Sequence, residues 1–445
     1  MTDQSMHLIP LSDIDFGPEE EEAVLRVLRS RWLSMGEETQ AFEREFAAYL
    51  GVKHAIALAN GTAALHLALL ALGLGPGDVV IQPAVNFVAA ANMTVAVGAS
   101  PLFADIRSLT EPTISPSSIL DLLTNNGERK TPRPRALVIM HYGGYPCRMD
   151  EILAICQEHN LALIEDACHA VGARYSLSDE RSSFIGSCKT TSTDPTHNEE
   201  RITNNGQPAA PPFPHLACFS FFANKNLVTG EGGMVTTNND ELAARVRSLR
   251  SHGMTSLTWD RHKGHAATYD VVGHGFNYRI DELRSAIGRT QLERLDRNNA
   301  RRRRLTALYW EKLAPLEKLG WLLPFKDLYN SSLVTCDSSG FSCRSSLVSC
   351  HLMPIVAPDA ETRLACANAL KAVGIQTSLH YPFVPSFSAF SGKIEESNLG
   401  TSREFSSRVM TLPLYPTLQE SDVSSVAAAL SRETSRTSER FGSHA

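Results

Sequence analysis

The sequence predicts an α/β protein: a large domain with a mainly parallel, doubly wound sheet, followed by a smaller C-terminal α+β domain. Three observations carry this. Short apolar runs alternate with helical patterns from His54 to Thr237. The run Ala136–His141 is apolar without alternation, as in a parallel strand buried on both faces. Polar residues recur where the strands end, at Asn60, Asp105, His141, Asp166 and Ser220, and open α/β sheets bind ligands beyond those ends.

The elements follow in order. Glu19–Arg31 and Thr39–Leu50 read as amphipathic helices, the first with acidic residues in its opening turn. His54–Ala59 is a short buried strand. The turn Asn60-Gly61-Thr62 leads from it into a helix, Ala63–Leu72. A helix start in that position is a ready anion site, and it is equally a plain N-cap by Asn60 or Thr62. The glycines of Gly73–Asp78 follow a helix and precede a strand, the reverse of a dinucleotide fingerprint. Strands are expected at Val79–Gln82, Pro101–Asp105, Ala136–His141 and Leu161–Asp166, with helices at Ala84–Val97 and Met149–His159. Ser176–Pro214 is polar and aperiodic and reads as a long flexible insertion.

Strands Ala217–Phe222 and Met234–Thr237 precede helices at Asp240–Ser251 and Asp281–Leu295. Arg301–Arg304 reads as a solvated helix face continuing into Leu305–Leu313. The smaller domain, 298–432, opens with an irregular serine-rich stretch, Asp327–Ser349. It continues with strands at His351–Val356 and Ile375–Leu379 and helices at Ala360–Ala372 and Ser421–Leu430. The large domain is 1–297, and 433–445 reads as an unstructured tail.

Composition narrows the function. The chain has 445 residues, 43% hydrophobic and 20% charged, with a net charge of −6, so nothing favours a nucleic-acid partner. The start has no basic region before an apolar run, and the longest apolar run, Ala63–Gly75, is too short to span a membrane. Nine cysteines without a Cys-x-x-Cys pair suggest reduced thiols in a cytoplasmic protein and no metal site.

The stretch 220–233, SFFANKNLVTGEGG, places Lys225 between an aromatic strand and a glycine-rich turn. A lysine there is partly desolvated, which lowers its pKa and suits it to attack a carbonyl. Alone, the stretch fits a surface lysine lying over an apolar edge as well. An anion-binding helix start, a carboxylate at a strand end and such a lysine are together the parts of a pyridoxal 5′-phosphate site. The amine forms a Schiff base with the aldehyde, the carboxylate keeps the pyridine nitrogen protonated, and the helix start holds the phosphate.

The chain also resembles the DegT/DnrJ/EryC1/StrS aminotransferases, fold-type-I pyridoxal phosphate enzymes acting on nucleotide-linked keto-sugars. The likeness runs from about Trp32 to about Leu430. It rests on Asn60–Leu65 (NGTAAL), Gly75–Asp78 (GPGD), Gly98-Ala99 with Asp105, Glu165–Ala170 (EDACHA), the stretch around Lys225, and Gly275–Arg279 (GFNYR).

The resemblance implies that Lys225 is the Schiff-base lysine, Asp166 the pyridine-nitrogen partner and His169 a contact to the ring hydroxyl. By the same likeness Phe87 stacks on the ring, and Gly61, Thr62 and Ser220 hold the phosphate. Asn277 reaches the phosphate of the neighbouring subunit, so a homodimer is implied. His141, Arg279 and His380 are the candidates for the substrate side. The insertion 176–214 departs from the pattern, and the site survives it only if the insertion loops outward.

The implied reaction is a ping-pong transamination. An amino acid, L-glutamate by resemblance, leaves its amine on the cofactor as pyridoxamine phosphate, and a keto-sugar nucleotide then accepts it. One alternative is a sugar dehydratase of the same fold, in which histidine stands where this chain has Lys225. Another is a non-catalytic sugar-nucleotide-binding or regulatory protein.

Overall fold

The computed structural model describes residues 8–124, 132–176, 182–187, 213–256, 259, 268–329, 348–390 and 398–442. Seven strands form the main sheet: β1 (His54–Leu58), β2 (Val79–Pro83), β3 (Ser100–Ala104), β4 (Pro134–Met140), β5 (Ala162–Asp166), β8 (His215–Ser220) and β9 (Gly233–Thr237). Their order is β1-β9-β8-β5-β4-β2-β3. Only β9 runs against its neighbours; the other pairings are parallel.

Alternate strand residues face opposite layers. Leu163 and Phe219 join Phe42, Phe46 and Ile152 on one face, from α2 (Glu37–Leu50) and α6 (Met149–His159). Ile164 and Cys218 join Leu67 and Val246 on the other, from α3 (Gly61–Ala71) and α7 (Asp240–Arg250). Phe42, Phe46, Phe219 and Phe221 are fully buried and pack ring against ring at 5.2–6.0 Å. Burying each is worth roughly 2–3 kcal/mol, which anchors the strand leading to Lys225.

The remaining helices are α1 (Pro18–Ser30), α4 (Ala89–Ala96), α5 (Pro116–Thr124), α8 (Glu282–Leu313), α9 (Ala360–Ala372), α10 (Gly400–Arg408) and α11 (Glu420–Gly442). Helix α8 has 32 residues, so it is roughly 48 Å long at the usual rise. It begins against α1 and α2 and ends in a second core around Trp310, Trp321, Phe405 and Leu430. That core backs the antiparallel pair β10 (Met353–Val356) and β11 (Val409–Leu412).

Several expectations are corrected. Helix α4 begins at Ala89 rather than Ala84, because Ala84 N–H still bonds Ala104 O and Val85 bridges Phe383. Helix α5 was not anticipated. The edges of the expected insertion are folded: β6 (Arg174–Ser176) pairs with β7 (Ser182–Phe184), and Ile185 enters the core. The rest of that stretch, 177–181 and 188–212, lies outside the described residues, as do 330–347 of the serine-rich stretch.

The Arg301–Arg304 run is a solvated face only at Arg304. Arg301 and Arg304 pair with Glu420, Arg302 is buried against Leu414 O, and Arg303 donates to Val348 O. Ile375–Leu379 makes isolated bridges, at Ile375 and Ser378, instead of a strand. The last helix continues through Glu433 to Gly442, where the sequence suggested a tail, and Thr434 is buried against Cys366.

Candidate active site

The carboxyl ends of β1, β2, β4, β5 and β8 open on one edge of the sheet, and the site is built there. Asn60 caps α3, accepting from Ala63 N at 2.8 Å, which leaves Gly61 and exposed Thr62 in the first turn. Two glycines make room in front of it. A Cβ on Gly61 would sit 2.8 Å from Ser220 Cβ and 3.2 Å from Cys168 Sγ. A Cβ on Gly233 would sit 2.4 Å from Asn60 O. Gly61, Thr62 and Ser220 thus line one cradle at a helix N-terminus, where amide donors converge.

Asp166 ends β5, 4% exposed. It accepts long bonds from Cys168 N at 3.3 Å and Asn86 Nδ2 at 3.4 Å. Among the described residues no arginine, lysine or histidine lies within ion-pair reach of it. A buried carboxylate in that state suits a cationic partner.

Lys225 follows β8 in a tight turn, with its N–H bonded to Phe222 O at 2.9 Å. Gly230, at φ +85°, lets the chain turn back toward β9. The ammonium is half-buried, and burial lowers its pKa; Cys168 and Asp166 pull the other way without cancelling that.

Around Lys225 stand three histidines whose pKa values are lowered. His169 and His351 are buried and held well below the ordinary value, and His380 is pushed down to about 4 by burial and the charge of Lys225. All three are neutral imidazoles at neutral pH. His169 Nδ1 accepts from Gly143 N at 3.3 Å, so its proton lies on Nε2, which donates to the Tyr381 hydroxyl at 2.8 Å. The Tyr381 ring stacks near His169 and lies 6.0 Å from that of Phe87, which is 55% exposed.

The structure therefore brings together Lys225, Asp166, His169, Gly61, Thr62, Ser220 and His380, with Phe87 at the rim. It separates three others. His141 is fully buried, its Nε2 bonded to Glu165 at 2.9 Å and its Nδ1 accepting from Cys147 N. It braces the end of β5 from beneath, donating its own N–H to Asp166 O, and presents no free atom to a substrate. The expectation that His141 is substrate-proximal is corrected accordingly.

Asn277 is exposed and Arg279 half-buried on a segment tied by backbone bonds to Leu249, Arg250 and Ala59. Among the described residues, neither makes a hydrogen bond or ion pair that reaches Lys225.

Sequence reasoning missed Asn86, Asn226, His351 and Tyr381. Asn226 and Tyr381 are adjacent to residues it named, and His351 opens an expected strand. Nothing in their spacing announced that the fold would bring them to one place.

The site fits pyridoxal 5′-phosphate. A Cβ at either glycine would clash with the turn, the buried carboxylate has no ion pair among the described residues, and the amine is partly desolvated.

Comparison with known proteins agrees. A profile of the DegT/DnrJ/EryC1/StrS aminotransferase family matches residues 15–431. The spore coat polysaccharide biosynthesis protein SpsC of Bacillus subtilis (strain 168) is 34% identical over 437 residues, 97% of this chain and 98% of that protein. The S. venezuelae DesV structure, in complex with a ketimine intermediate, superposes with TM-score 0.77 at 31% identity, covering 96% of this chain and 98% of the other. Helicobacter pylori PseC, an aminotransferase involved in pseudoaminic acid biosynthesis, shares the fold with TM-score 0.78 at 23% identity, covering 97% of this chain and all of the other.

Proposed function

This chain belongs to the DegT/DnrJ/EryC1/StrS aminotransferase family, and from that membership we propose that it is a pyridoxal phosphate-dependent aminotransferase moving an amino group from L-glutamate to a nucleotide-linked keto-sugar. The observation that carries the reading is the meeting of Lys225, Asp166 and the Gly61–Ser220 cradle at one sheet edge. The likeness to SpsC, a polysaccharide biosynthesis protein, supports a sugar acceptor.

When bound, the cofactor supplies an electron sink for a carbanion at the amino-bearing carbon. Asp166 holds the pyridine nitrogen as the cation. Lys225, its pKa lowered, would hold the cofactor and move the proton at the reacting carbon. His169 would contact the ring hydroxyl by turning its Nε2–H away from the Tyr381 hydroxyl that it meets within the chain. Amide groups of Gly61 and Thr62 and the Ser220 hydroxyl hold the phosphate, and Phe87 covers a ring face.

Asn277 and Arg279 serve the site of a second copy in a homodimer. Asn277 contacts the phosphate there, and Arg279 and His380 act on the sugar-nucleotide side. Amino donor and keto acceptor use the same site in turn. The six described cysteines are unpaired, in keeping with a cytoplasmic enzyme.

Purified protein should show a visible absorption band that glutamate shifts and borohydride fixes on Lys225. Lys225→Ala should lose the covalent link and turnover of a panel of 3-keto and 4-keto nucleotide sugars. Native-rate turnover by that variant would overturn the assignment.

A further inference from the structure

Beside Lys225, the side chain of Asn226 is buried and makes three bonds, to helix α8 and to the segment entering β10. Its Nδ2 donates to Asn299 Oδ1 of α8 at 2.7 Å and to Ser349 O at 2.9 Å. With both donors facing acceptors, the amide orientation is determined. Asn226 Oδ1 must then accept, and its partner at 2.9 Å is His351 Nδ1. His351 is neutral, being buried among His169, Lys225, Arg302 and His380, so its one ring proton lies on Nδ1. His351 is itself held from two sides: its N–H bonds Gly143 O at 2.8 Å, and its ring lies 4.3 Å from that of His169.

We propose that His351 is a positioning residue for Lys225. Its Nδ1–H, donated to Asn226 Oδ1, holds the turn from which Lys225 projects and ties that turn to the segment entering β10. This rests on the reading that Lys225 carries the cofactor. The bond leaves Nε2 without a proton and asks nothing of it, so the proposal assigns the work to one nitrogen.

The test uses the holoenzyme. His351→Phe keeps a ring against His169 and removes the donor. We expect kcat to fall about 10- to 100-fold, the loss typical of a slightly misplaced reacting group, with KM for either substrate changed less than about threefold. The pH midpoint of the visible band of the cofactor on Lys225 should shift, which a purely structural role would not produce.

Asn226→Ala should show a similar loss, and the double variant should be no worse than either single one. Wild-type kcat and band midpoint in His351→Phe, or additive losses in the double variant, would overturn the proposal. Should His351→Phe not fold, His351→Asn and His351→Gln decide. Asn places an N–H where Nδ1 stood and Gln where Nε2 stood, so Asn should be the more active by about tenfold; equal or reversed activities refute the role.

Borohydride fixation on Lys225 in the unsubstituted enzyme is read first. Its absence sinks the cofactor reading, whereas its presence with unaffected variants sinks only the role of His351.

Discussion

At the scale of single residues, the site is shaped by what is missing as much as by what is present. Gly61 has no room for a Cβ against Ser220 and Cys168, so Gly61→Ala must push the phosphate cradle apart. We expect pyridoxal phosphate affinity to drop by about 10- to 100-fold, or about 1.4–2.8 kcal/mol, measured by fluorescence titration; unchanged affinity would place the phosphate elsewhere.

His380 gives a pH prediction. Its pKa is about 4 in the fold against 6.5 ordinarily, from burial and the nearby Lys225 charge. A lowered histidine means that the unfolded chain takes up a proton the fold refuses. Stability associated with His380 is full above pH 6.5 and is lost as pH falls from 6.5 toward 4. Melting temperature followed across that window should fall less steeply in His380→Asn than in the unsubstituted protein.

Both residues were legible to different degrees. Gly61 and Lys225 belong to local motifs whose conformation follows from their own neighbours. Asn226 and Tyr381 acquire meaning only from partners 73 and 212 residues away.

At the scale of elements, two buried carboxylates fasten the framework. Glu165, next to the Asp166 that ends β5, accepts from His141 at 2.9 Å and from His215 at 2.6 Å. Burial raises its pKa, but the two histidine bonds outweigh burial and hold it at about 2. Since 2 lies below the ordinary 4.5, its contribution is complete above pH 4.5 and is lost as pH falls toward 2. Glu165→Gln sets an amide N–H against a histidine N–H and should cost about 2–4 kcal/mol, seen as an earlier urea midpoint.

Glu282 does similar work at the start of α8. Its carboxylate accepts from the amides of Gly36, Glu38 and Thr39, capping α2 from another helix. Glu282→Ala strands the buried amides of Gly36 and Thr39 and the half-buried one of Glu38 and should lower the urea midpoint by a comparable amount. An unaltered midpoint would mean that water replaces the cap. From sequence alone Glu282 looked like one more acid on a helix, because its partners lie more than 240 residues away.

At the scale of the whole molecule, α8 reaches from the helices beside the sheet into the second core, and Arg302 from its middle is buried there against Leu414 O. The site draws on both sides of that helix: Lys225 and Asp166 from the sheet, His351, His380 and Tyr381 from the smaller part. A second copy is the remaining piece of the proposal. If Asn277 completes the neighbouring site, a mixture of Lys225→Ala and Asn277→Ala chains should recover activity that neither has alone, since one site of each mixed dimer is intact. Failure to recover, with mixed dimers demonstrated by tag capture, would return Asn277 to a role in its own chain.

By itself the sequence determined the α/β class, the alternation that orders the sheet, and the local motifs holding Lys225, Asp166 and Gly61. Each of these follows from periodicity or turn chemistry acting over a few residues. Only the tertiary structure decided which polar residues share the sheet edge. It buried His141 against Glu165 and Cys147, set Arg301 and Arg302 against Glu420 and Leu414, and brought His351 to Asn226. Those outcomes depend on burial and on bonds between distant segments, and neither is encoded in any short stretch of the chain.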